Sequence, residues 1–252
     1  MTMTMTNEYY QAVQKILARI VAESDADIQR AASVLADKIQ EGRKINVLGS
    51  GGHSFMGAEE MFFRAGSLQP VNAMLDAGLS LANGARRTTM IERTSGYGAN
   101  LLDMYNLRQG DVLIIINVNG INSVTIDAAL EAKKRGIKVI GLTSPEFSLA
   151  VPKDVPARHA SGKNLCDVAD IVIDLKVPVG DAVLNCEGVD VPIGPSSSVA
   201  VTFTVNSLVC STIKTLVERG VKPPVWKSAN VAGGDEYNQA FLGQNTSGIR
   251  HL

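Results

Sequence analysis

The chain has 252 residues, 45% apolar and 19% charged, which is enough apolar matter for a sizeable core and too little charge for a disordered polymer. Its 24 Lys and Arg against 25 Asp and Glu leave a net charge of −1, which excludes a general attraction for nucleic acid or an anionic membrane. Any anion must therefore be held by local geometry.

The opening MTMTMTNEYY has neither a basic region nor an apolar core, so it reads as a frayed leader rather than a signal peptide. No apolar run approaches the ~20 residues that span a bilayer, and a cytoplasmic protein is predicted. Residues 8–41 read as two helices. Val13, Ile16, Leu17 and Ile20 share one face of the first; Ile28, Ala31, Leu35 and Ile39 share one face of the second. Ser24 or Asp25 is the expected cap between them, and Gly42 the end of the pair.

The period then changes. Ile45 to Leu48 reads as a strand, Phe55 to Ala65 as a helix, Val71 to Leu75 as a strand, and 76–95 as loop with a short helix. Gly98 to Leu107 reads as a helix, Val112 to Ile116 as the strongest strand, and Ser123 to Arg135 as a helix closed by Gly136. Strand 137–142, a long loop, a helix near Asn164 and strand 171–175 follow. A helix from Ser196 to Arg219 and a polar tail complete the chain. Continuous apolar strands alternating with helices predict a five-stranded parallel sheet covered on both faces, a doubly wound α/β fold with an N-terminal helical arm. One domain spans 1–252: arm 8–41, core and C-terminal helix 42–220, tail 221–252. Cys166, Cys186 and Cys210 form no Cys-x-x-Cys pair and read as small buried hydrophobes.

Ligands of open parallel sheets sit beyond the strand C-termini. Two such loops are unusual here. Gly49, Ser50, Gly51, Gly52, His53 and Ser54 follow the first strand; the glycines allow close backbone approach, and the next helix directs free N–H groups at a ligand. Asn117, Val118, Asn119, Gly120, Ile121, Asn122 and Ser123 follow the strongest strand and precede a helix, so Asn119, Asn122 and Ser123 are expected donors to an anion. These two loops are predicted to lie side by side.

The block from Asp111 to Ser144 resembles the signature of the sugar isomerase (SIS) domain: apolar strand, polar-Gly loop, Ala-rich helix ending Lys-Arg-Gly, strand ending Leu-Thr-Ser. The loop 49–52 resembles that family's first ligand loop. More narrowly, RAGSLQPVNAML, HASGKNL, PVGDAV and SANVAGGDEYN resemble a bacterial SIS subfamily near the phosphoheptose isomerases. The resemblance implies a flavodoxin-like sheet, a small phosphorylated or similarly anionic sugar as ligand, and a homodimer or homotetramer. One departure stands out: where family loops carry two phosphate-binding serines, this chain has Asn117 and Asn119. The resemblance also places Asn206 where the heptose isomerases have a histidine, and Ser198 where they have a metal-binding glutamine.

Aldose–ketose isomerisation needs a base to move a proton between adjacent carbons. Glu59 shares a stripe with Phe55, Phe62 and Phe63, which predicts partial burial and makes it the candidate base; Glu60 is set four residues before Arg64 for an ion pair. His53 and His159 are candidate donors to sugar hydroxyls or proton shuttles. Three histidines far apart give no metal-ligand spacing, so neither metal nor cofactor is expected. A non-catalytic sugar-phosphate-binding module and an amino-sugar-phosphate lyase or etherase are the rival functions.

Overall fold

The computed structural model describes residues 3–243, 246 and 248–252. Residues 1 and 2 of the Met-Thr leader, and 244, 245 and 247 of the tail, lie outside the described residues.

Helix α1 runs from Met5 to Gln40 as one element, not two. No glycine or proline interrupts it, and Ser24 does not cap: its hydroxyl leaves the helix to donate to the Asp174 carbonyl at 2.8 Å. A serine that looks like a cap in sequence can equally serve a tertiary bond. Nor is the whole leader frayed, since Thr4 caps α1 by accepting from the Asn7 N–H. Ile16, Ile20, Ile28, Leu35 and Ala36 form the buried stripe, which packs on the sheet and on α8 (Ser197–Glu218).

The sheet contains β1 (Ile45–Gly49), β2 (Val71–Ala73), β3 (Val112–Ile116), β4 (Lys138–Thr143) and β5 (Ile171–Asp174). All pairs are parallel and the order is β2-β1-β3-β4-β5. Every residue of β1 and β3 is buried, as expected for strands covered on both faces. One face carries α1 and α8; the other carries α4 (Tyr97–Met104) and α5 (Ser123–Lys134). α8 is long and apolar enough in composition to cross a bilayer, yet in this fold its Ala200, Val201, Val205, Leu208 and Leu216 are core.

Shorter elements finish the frame: α2 (Phe55–Met61), α3 (Ala85–Glu92), α6 (Pro145–Ala150) and α7 (Leu165–Val168). The helix after the first glycine loop stops at Met61, short of the expected Ala65. Phe62 turns extended, and Phe63, at φ 47°, lies half-exposed with its ring edge-on to Trp226 at 4.8 Å. α6 falls in the stretch expected as a long loop, and two further features escape the sequence pattern. A hairpin of β6 (Ala182–Leu184) and β7 (Ile193–Pro195) leaves the fold between β5 and α8, and α9 (Gly234–Leu242) orders the tail. Asn238 of α9 is buried, its amide bonding both the N–H and the carbonyl of Lys227. The cysteines are unpaired, but Cys210 is exposed and the other two half-buried, so burial is not their common trait.

Candidate functional site

β2 lies to one side of β1 and β3 to the other, so the crevice above β1 and β3 is the switch point of the sheet. Gly49 pairs in register with Ile116, which starts the two polar loops side by side as expected. The Ser50 hydroxyl, fully buried, sits 2.6 Å from the Thr125 hydroxyl and ties the glycine loop to the first turn of α5. Glycine is required at 49 for space, since a β-carbon there would fall 2.3 Å from the Ser54 carbonyl.

A cavity of about 230 Å³ opens at this point. The first loop contributes Gly51, Gly52, His53 and Ser54; the second contributes Asn117, Asn119 and Asn122. Gly49, Ser50, Gly120 and Ser123 stand behind this surface and do not line it. The asparagines build the loop as much as they face the cavity. The Asn117 side-chain oxygen accepts from the Gly120 N–H at 2.7 Å, that of Asn119 from the Ile121 N–H at 3.2 Å, and Asn122 donates to the Ala157 carbonyl. The Gly120 and Ile121 N–H groups are thus used within the loop. The Asn119 amide nitrogen and the N–H of Asn122, the cap of α5, have no partner among the described residues, and both residues line the cavity. Those donors remain for a ligand.

Two carboxylates complete the wall. Glu92, the last residue of α3, lines the cavity with no hydrogen-bond or ion-pair partner among the described residues. Burial raises its carboxyl above the ordinary glutamate range, against a smaller opposing pull from Arg93. Asp181 reaches the cavity from the base of the hairpin, at φ 71°. Its carboxylate accepts from the Ser196 and Ser197 N–H groups at 2.9 and 2.6 Å and from the Ser197 hydroxyl at 2.8 Å. The amino end of α8 is therefore already occupied by an internal anion. Glu92 has no local sequence signal, and Asp181, though inside the PVGDAV block, gives no sign of the distant helix end it meets.

The anticipated catalytic residues separate. His53 lines the cavity and is exposed. Glu59 is exposed and outside the cavity, contrary to the expected burial. Its stripe counted Phe62 and Phe63, which lie past the helix end. Glu60 turns inward instead, accepting from Arg64 at 2.9 Å as expected and from the Asn206 amide at 2.8 Å. His159 is a strut outside the cavity: the Ser161 N–H donates to its Nδ1, leaving Nε2 to face Asp127 at 3.1 Å. Ser198 also lines the cavity.

A model of the SIS domain matches residues 8–144. A UPF0309 protein of Geobacillus thermodenitrificans is 37% identical over 238 residues, 94% of each chain. Another, from Caldanaerobacter subterraneus subsp. tengcongensis, is 38% identical over 251 residues, 98% of this chain and all of the relative. Among solved structures, a phosphoheptose isomerase from Francisella tularensis superposes with a TM-score of 0.54 at 18% identity, covering 83% of this chain and 96% of its own. The Vibrio vulnificus NanR protein complexed with ManNAc-6P gives 0.52 at 15%, covering 96% and 70%. At those identities the two structures share the fold. Sheet order, loop placement and the matched residues converge on one assignment: the chain belongs to the SIS domain family.

Proposed function

We propose that the cavity binds a small phosphorylated sugar and interconverts its aldose and ketose forms by proton transfer. One observation carries this: the unused donors of Asn119 and Asn122 and an unpartnered, partly buried carboxylate, Glu92, belong to residues that line the same cavity. No Lys or Arg lines it, so the phosphate is held by the Asn119 amide and the unbonded N–H of Asn122, the cap of α5. The names of the phosphoheptose isomerase and of the ManNAc-6P complex support a phosphosugar as ligand.

Glu92 takes over the role expected of Glu59. Its carboxylate removes the C2 proton of the aldose; the C–H pair becomes the C1=C2 bond, and the carbonyl pair moves to O1, which receives a proton from His53. Glu92 then returns its proton to C1 while O2 gives one back to His53, leaving the ketose and both side chains as they began. A carboxyl raised by burial is a stronger base than an exposed one.

The test is a binding and turnover screen of aldose and ketose phosphates. Glu92→Gln should lower turnover about 10²-fold or more and keep affinity within about tenfold, and Glu59→Gln should match wild type. Undiminished turnover in Glu92→Gln would refute the assignment. A second reading, a non-catalytic binding module, draws on Asn206, which stands where related isomerases carry a histidine and is bonded to Glu60 and the Thr202 carbonyl. It wins if several sugar phosphates bind and none turns over. In either case we propose a cytoplasmic homodimer or homotetramer with segment 226–240 near a subunit contact.

A further inference from the structure

At the opposite end of the sheet, below the first residues of β1 and β3, lies a second cavity of about 260 Å³. Its electrostatics are the reverse of the first. Arg43, Lys44 and Arg108 line it against one carboxylate, Asp111. That carboxylate is already engaged by the Arg43 guanidinium at 2.7 Å and by the Arg108 N–H at 2.9 Å. No carboxylate among the described residues lies within ion-pair distance of the Lys44 ammonium or the Arg108 guanidinium. In a chain of net charge −1, this is a local concentration of positive charge.

The floor points the same way. Asn46 and Asn72 occupy paired positions of β1 and β2, only 4% and 1% exposed, on strands otherwise built from apolar residues. Asn72 donates to the Asn46 side-chain oxygen at 2.9 Å, and Asn46 donates to the Val112 carbonyl at 3.1 Å. An amide nitrogen carries two donors. Among the described residues each of these makes one bond, so each retains an N–H at the floor of a cationic cavity. Burying an amide with a spare donor costs stability unless something accepts from it. The Asn72 side-chain oxygen accepts from the Arg250 N–H at 3.2 Å, and the Arg250 guanidinium covers the Tyr105 ring, so the C-terminal residues, of which Gly248 lines the cavity, add a further positive charge nearby.

We propose that this cavity is a second, separate binding site for the phosphate group of a small phosphate ester, held by Lys44 and Arg108 and hydrogen-bonded from below by Asn46 and Asn72. It does not depend on the function assigned to the first cavity. Cationic side chains at the rim and neutral donors at the floor suit a compact dianion better than a carboxylate, because four donors from different directions match tetrahedral oxygens.

Isothermal titration with inorganic phosphate, on the full chain, tests it. The double variant Lys44→Gln, Arg108→Gln should lose at least tenfold in phosphate affinity at one site, while Asn119→Ala leaves that site unchanged. Asn72→Leu, which removes the floor donor, should weaken the same site, with circular dichroism and the melting temperature reporting whether the fold persists. Phosphate binding that the double variant leaves unaltered overturns the proposal, as does a wild-type chain that binds no phosphate at millimolar concentration. Loss of phosphate binding in Asn119→Ala alone would assign it all to the first cavity and likewise overturn it.

Discussion

The Glu92 carboxylate packs directly on the backbone of Gly51: a β-carbon at 51 would fall 2.4 Å from Glu92 Oε2. Gly51 also sits at φ 120°, ψ 160°, a region essentially restricted to glycine. Gly51→Ala should therefore cost about 1–3 kcal/mol and push the Glu92 side chain out of the cavity. Urea denaturation measures the first effect; loss of turnover beyond that of a comparably destabilised variant measures the second.

Burial of Glu92 without a partner makes a specific pH signature. Its folded-state pKa lies above the unfolded one, so the folded state is at no disadvantage below the ordinary glutamate range and loses stability as pH rises through the raised value. Glu92→Gln removes that loss. The variant should melt higher than wild type at pH 7.5, and the gap should close below pH 4. Parallel melting curves across that range decide it, and a constant gap would contradict the sign.

Asp181 fills the amino end of α8 with four hydrogen bonds from Ser196 and Ser197. Asp181→Ala should cost about 1–2 kcal/mol, the usual loss of a helix cap. It should also free those N–H groups for an external anion. Added sulfate should then raise the melting temperature of the variant more than that of wild type.

Asn119 lines the cavity and Ser123 does not. Asn119→Ala should weaken binding of a sugar phosphate about tenfold, in keeping with one hydrogen bond to a charged group, and Ser123→Ala should leave affinity nearly unchanged. Titration calorimetry separates them. Equal losses would mean that the anion lies deeper than the lining suggests.

The strands were legible because a strand buried on both faces is an unbroken apolar run: Val112–Ile116 appears in the structure with its expected ends. Loop placement followed from the strands. Helix ends were less legible. Ser24 carries the same signature whether it caps a helix or bonds a distant carbonyl, and the stripe of Glu59 ran past Met61 because phenylalanines continue a pattern the backbone abandons. The hairpin was invisible, its strands being three residues long and half-exposed. The roles of Glu92 and of Asp181, the latter inside the quoted PVGDAV block, were hidden for another reason: the chemistry of each depends on a cavity assembled from elements far apart in the chain.

The unbroken helix α1 has a consequence for biogenesis. Its partners on α8 come late: Gln29 bonds Ser211 and Ser33 bonds Arg219, 182 and 186 residues downstream. At ribosomal speeds of about 5–20 residues per second, roughly 10–40 s separate the two. Throughout that interval the stripe of Ile16, Ile20, Ile28 and Leu35 has no α8 to bury it. The nascent arm is thus a sticky amphipathic rod awaiting the other end of its own message, and truncation before α8 should yield aggregate or chaperone-bound chain rather than a smaller folded protein.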